Sequence, residues 1–125
     1  MNKTAALHNF FSSFGLKAYE EYAVPSGDDA PKFPYCTYSV SVDSFDRPVA
    51  AALSLWYRGT SWVPANAKAE EISSKIGRSG AFTDCDGGRI WIKRGSPFAQ
   101  NMGDPEDDMI KRKYIILSVE FFTAD

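Results

Sequence analysis

The segment from Met109 to Thr123 constrains the fold more than any other part of this chain. Ile115, Leu117, Val119 and Phe121 fall on one side of an extended strand. Tyr114, Ile116 and Phe122 fall on the other, with Ser118 and Glu120 between them. Such a strand belongs in a sheet. Its second side is more apolar than a solvent-facing surface needs, and exposed apolar area on a sheet marks a protein–protein contact.

Two further segments supply the cover for one face. Leu7, Phe10, Phe11 and Phe14 recur at helical spacing, so a helix is expected over 3–14, capped by Asn2 or Thr4 and ended by Gly15. A second helix is expected to start near Ser61 or Pro64, to bury Ala65, Ala69, Ile72 and Ile76, and to stop at Gly77. Glu71 and Lys75 are spaced to pair on its outer side.

Strands account for most of the remainder. A short one is expected within 16–24, before an irregular stretch rich in Pro, Gly and Asp. Tyr35–Val42 alternates, with Cys36, Tyr38, Val40 and Val42 on one face. After a turn over Asp43–Pro48, Val49–Tyr57 places Leu53, Leu55 and Tyr57 together. Ala81–Cys85 and Arg89–Lys93 flank Asp86-Gly87-Gly88, a hairpin signal, with Ile90 and Ile92 opposed to Trp91. Gly95–Asp108 is expected to be a long polar loop holding Phe98 and Met102, suited to an interface that orders on assembly. The sum is a single α+β domain over 1–125, a mixed, mostly antiparallel sheet with two helices packed on one face.

The charge balance bears on partners. Lys and Arg total 14 against 16 acids, for a net charge of −2. A protein that binds DNA through its phosphates needs a basic surface, so specific nucleic-acid binding is not expected. The one basic run, Lys111-Arg112-Lys113, follows Asp107 and Asp108 and is expected to be neutralised locally. Met1–Ala6 shows no secretory pattern, and no stretch approaches the roughly 18 apolar residues of a membrane span. Cys36 and Cys85 form no CxxC pair, and two reduced thiols in a cytosolic compartment are expected.

A search for chemistry finds little. Phosphate-binding, dinucleotide-binding, nucleophile-elbow and zinc-protease motifs are all missing. His8 is the only histidine and lies beside the phenylalanine stripe, with no partner at helical spacing. Asp84-Cys85-Asp86-Gly87 opens like a calcium loop, but Arg89 and Gly95 stand where such a loop needs Gly and Glu. Asp104, Glu106, Asp107 and Asp108 are the remaining alternative, a divalent-ion site for metal-dependent catalysis. A turn begun at Asp104-Pro105 explains the same residues. No catalytic, cofactor or metal residue is therefore assigned.

Four segments carry a resemblance. They are Ala18-Tyr19-Glu20-Glu21, Ser54-Leu55-Trp56-Tyr57-Arg58-Gly59-Thr60-Ser61-Trp62, Pro97-Phe98-Ala99-Gln100-Asn101-Met102-Gly103-Asp104-Pro105 and Asp108-Met109-Ile110-Lys111-Arg112. In this order, within a match running from about Leu7 to Ala124, the chain resembles tail-completion proteins of long-tailed bacteriophages and prophages. Such proteins are variously called minor tail, tail terminator or minor capsid proteins, and the residues fit each label.

The resemblance implies a homohexameric ring on the end of the tail tube, which stops tube polymerisation and offers the head a docking surface. Its partners would be further copies of itself, the major tail tube protein and head-completion or connector proteins, with DNA only passing through the lumen. It would be found in the virion tail and, during assembly, in the host cytoplasm. A head-side completion or stopper role is the alternative. Joined with the pattern of the chain, this makes Phe98, Gln100, Asn101, Met102, Asp104, Asp107, Asp108, Tyr114, Ile116 and Phe122 the expected assembly interface.

Overall fold

A computed structural model describes all of residues 1–125. The elements run α1 (Lys3–Ser12), β1 (Lys17–Glu20), a 3-10 turn at Gly27–Asp29, β2 (Tyr35–Val40), β3 (Val49–Arg58), α2 (Val63–Ile76), β4 (Ala81–Cys85), β5 (Gly88–Gly103) and β6 (Ile110–Thr123). The strands form one six-stranded sheet in the order β1-β2-β3-β6-β5-β4. Only β1 and β2 are parallel, and every other pairing is antiparallel. The result is the expected α+β fold with a mostly antiparallel sheet.

Both helices cover the same face. Ala6, Leu7 and Phe11 of α1 and Ala69, Ile72 and Ile76 of α2 pack on Cys36, Leu53, Leu55, Ile90, Ile92, Ile115, Leu117, Val119 and Phe121. Cross-strand partners share a face, so rows such as Ala51–Leu117 and Leu53–Ile115 extend the apolar layer across strands. The Cys36 thiol is buried there, which pushes it up to about 11.

Local chemistry explains the helix ends. Asn2 caps α1 by accepting the Ala5 N–H at 2.8 Å. The helix stops at Ser12, earlier than Gly15, because the Ser13 hydroxyl donates to the Phe10 carbonyl at 2.5 Å and closes the last turn. At the start of α2 the Ser61 hydroxyl accepts the Val63 N–H. Gly77 ends it with φ 75°, while its N–H donates to the Ser73 carbonyl. Glu71 takes Lys68 at 2.7 Å, one turn ahead, where Lys75 was the expected partner. That hydrogen bond holds its carboxyl below the usual value. Lys68 also donates to the Phe14 carbonyl at 3.0 Å, which ties α2 to the turn that follows α1.

One expected element is wrong. Gly95–Asp108 is not a long loop, since β5 continues to Gly103 and the connection to β6 covers only 104–109. The long β6 offers a ladder beyond the hairpin, and Ala99–Gly103 pairs with it from Ile115 back to Lys111. A bulge separates the two halves of β5, where five steps from Arg94 to Ala99 match two steps along β6. Gly95 suits the bulge because a Cβ there would lie 2.6 Å from the Ile116 carbonyl oxygen.

Candidate assembly interface

The face of the sheet opposite the helices is uncovered. It takes the other half of every alternation: Tyr35 and Thr37 on β2, Ser54 and Trp56 on β3, Arg112, Tyr114, Ile116 and Phe122 on β6, and Trp91 on β5. Two aromatic clusters stand on it.

In the first, the Tyr35 and Trp56 rings stack at 6.1 Å and 13°. The Arg112 guanidinium lies 4.9 Å from the Trp56 ring and 5.2 Å from Tyr114. Its Nε donates to the Ser54 hydroxyl at 3.0 Å, and the Trp56 indole donates to the Thr37 hydroxyl at 2.9 Å. Burial raises the Tyr35 phenol above its ordinary range, with the neighbouring Tyr19 adding to it. In the second, Phe82 stacks on Trp91 at 5.6 Å and 9°, and Phe122 leans on both rings. Arg89 and Lys93 lie over Phe82 and Trp91 at 4.8 and 4.2 Å. Phe82 and Phe122 remain 49% and 46% exposed.

Small residues lie between the clusters, and a cavity of about 120 Å³ opens among Glu21, Ser39, Ala52, Arg112 and Tyr114. A preformed floor with aromatic and arginine walls can seat side chains of another protein. Trp, Tyr and Arg are the residues that most often carry binding energy in such contacts.

The expected interface residues divide among three places. Tyr114, Ile116 and Phe122 share the open face with Gln100 and Met102, which pair with Tyr114 and Arg112. Phe98 and Asn101 lie on the helix side. Phe98 packs against the core beside Ala69 and Ser73 of α2. Asn101 and Asn66 both accept from the Lys113 ammonium, at 2.7 and 2.9 Å.

The acids build the β5–β6 turn. Asp104 accepts the Glu106 and Asp107 N–H groups at 2.8 and 3.2 Å. Asp107 accepts the Met109 N–H at 2.9 Å and pairs with Arg58 at 3.3 Å. Asp108 is exposed, and its carbonyl accepts from Lys111. No three His, Cys, Asp or Glu side chains are disposed to hold a metal ion. The run Lys111-Arg112-Lys113 is not neutralised by Asp107 and Asp108 either, because alternation along β6 sends Arg112 to the open face and its neighbours to the helix side. His8 contributes a 2.8 Å hydrogen bond with the Tyr38 hydroxyl at the rim of the core.

Trp56, Tyr35, Phe82, Trp91 and Arg112 also stand on this open face and were not among the expected residues. For four of them the signal was parity, since each is an aromatic or cation out of phase with the core residues of its own strand, while Phe82 reaches this face by pairing with Trp91. No family model, curated protein or solved structure matches the chain.

Proposed function

We propose that the chain is a structural subunit of virion assembly, a tail terminator that forms a ring on the end of a phage tail tube. There it stops polymerisation and presents a surface to the head. The uncovered sheet face with its two aromatic–cation clusters carries this reading. It offers the anchors that a subunit interface uses, while the acids that could have supported catalysis serve a turn. The resemblance of the four segments gives the surface its setting: further copies of the chain, the tube protein and the head-completion proteins.

Negative-stain imaging tests it. Purified protein, alone or on tube ends, is expected as a ring, and tails made without the protein are expected to be of irregular length and unable to join heads. Tails of normal length that still join heads would overturn the reading. Co-purification with heads would move the subunit to the head side.

A further inference from the structure

A cavity of about 480 Å³ opens where the β5 bulge meets the end of α2, lined by Arg78, Lys93, Arg94 and the hydroxyl-bearing Ser73 and Ser96, with no carboxylate in its wall. None of the three cations forms an ion pair within the chain. Arg94 donates to the Ser73 hydroxyl at 2.9 Å, and Lys93 rests on the Trp91 ring. In a chain with a net charge of −2, three uncompensated cations around one cavity form a site for an anion.

The complementary surface is on the same molecule. The end of β1 and the connection after it carry Glu20, Glu21, Asp28 and Asp29, with no Lys or Arg before Lys32. All four are exposed and none is in an ion pair. Between them stands Tyr22, 89% exposed, an aromatic with nothing to cover it.

The register places the two surfaces opposite one another. Glu20 pairs with Tyr38, Tyr38 with Leu53, Leu53 with Ile115 and Ile115 with Ala99 at the end of the bulge. The acidic loop and the cationic cavity therefore lie on opposite flanks of the sheet, four interstrand spacings or about 19 Å apart across the strands, with Arg94 set against Leu117, two residues along β6 from this row. Both flanks are also open edges. Strand β1 has only four residues and pairs only with β2, while β4 covers β5 only up to Ile92, so Ala99–Gly103 pairs with β6 alone.

We infer that the acidic loop Glu20–Asp29 of one copy seats against the Arg78–Lys93–Arg94 cavity of the next, joining subunits head to tail. Pairing either surface with itself sets like charges together. Two different surfaces on opposite flanks make a heterologous contact, which closes into a ring when the rotation permits. This rests on the assembly reading and adds to the open face a second contact, the one that joins copy to copy along the ring.

Charge exchange tests it. Carbodiimide treatment of a mixture of isotopically labelled and unlabelled chains is expected to join Lys93 of one copy to Glu20 or Glu21 of another, read by mass spectrometry. E20K/E21K and R78E/K93E are each expected to weaken self-association about tenfold or more by sedimentation, as reversal of close interfacial charges does. Mixing the two variants restores association, since each supplies the charge that the other has lost. Circular dichroism and melting establish that both variants fold.

Folded variants that associate like the parent, or a mixture that restores nothing, would overturn the inference. If rings form regardless of these charges, the assembly reading stands without it. A parent chain that yields neither multimers nor the Lys93 amide also overturns it, and the tails made without the protein then decide the assembly reading separately. Loss of binding to a short DNA duplex in R78E/K93E, with unchanged association, would make the occupant nucleic acid and refute the proposal.

Discussion

Replacing Trp56 by Ala removes three separable contacts from the open face. The stack on Tyr35, at 6.1 Å and 13°, has the geometry of pairs that contribute about 0.5–1.5 kcal/mol beyond area burial. The Arg112 contact at 4.9 Å contributes about 0.5–1 kcal/mol, the range for a partly exposed cation–π pair. The indole hydrogen bond to Thr37 adds about 1 kcal/mol. Thr37 is buried and would be left without this donor. The sum is about 2–3.5 kcal/mol. With a urea slope of about 1.5 kcal/mol/M, the unfolding midpoint is expected to fall by roughly 1.3–2.3 M at an unchanged slope. Trp56→Phe keeps a ring and removes the donor, so it is expected to lose about 1 kcal/mol. Thr37→Val in the Trp56→Phe background then adds little, because both partners of the hydrogen bond are gone. A Trp56→Ala change below about 0.5 kcal/mol would refute the reasoning, since the cluster would then contribute nothing to a prearranged surface.

Other outcomes follow from single positions. Ile72→Ala opens a void under α2, where Ile72 is fully buried, and is expected to cost about 2–5 kcal/mol in denaturant unfolding. Phe98→Ala is expected to lower the melting temperature because Phe98 packs against the core, whereas Met102→Ala leaves melting unchanged and weakens assembly by sedimentation. Burial raises the Cys36 thiol in the folded state from 9.0 to about 11, so the unfolded chain loses its proton first as pH rises. Stability from this group is therefore present below about pH 9 and declines toward about pH 11, as urea midpoints measured across that window will show. At pH 8 a thiol reagent is expected to modify Cys85 in the native protein and Cys36 only after unfolding.

The layers were legible where one rule decides a residue's side. The helical spacing of Ala65, Ala69, Ile72 and Ile76, and the strand spacing of Ile115, Leu117, Val119 and Phe121, each place four residues that the fold buries. The second half of β5 was not legible, because Ser96, Pro97, Gln100, Asn101 and Gly103 carry no strand preference. A long partner strand, not local propensity, extends them.

The site shows the same divide. Parity along β6 places Tyr114, Ile116 and Phe122 on the face that the helices leave open. The meeting of Trp56 with Arg112 depends on β3 pairing with β6 across a separation that no local pattern encodes. The turn at Asp104-Pro105 was legible, but the N–H groups whose hydrogen bonds Asp104 and Asp107 accept were not, because sequence shows a charge and not its partner. The cationic cavity was hidden for a related reason, since Arg78 joins Lys93 and Arg94 only when α2 packs on the sheet.

The place of β6 in the strand order bears on how the protein is made. It lies between β3 and β5, and no backbone ladder joins the β1-β2-β3 group to the β4-β5 hairpin without it. On the ribosome, the first five strands emerge as two unconnected half-sheets, each showing a bare edge. Only when Ile110–Thr123 clears the exit tunnel can the halves be bridged, so closure of the sheet waits on this last strand. Throughout that interval the two half-sheets are open to mispairing with other nascent chains.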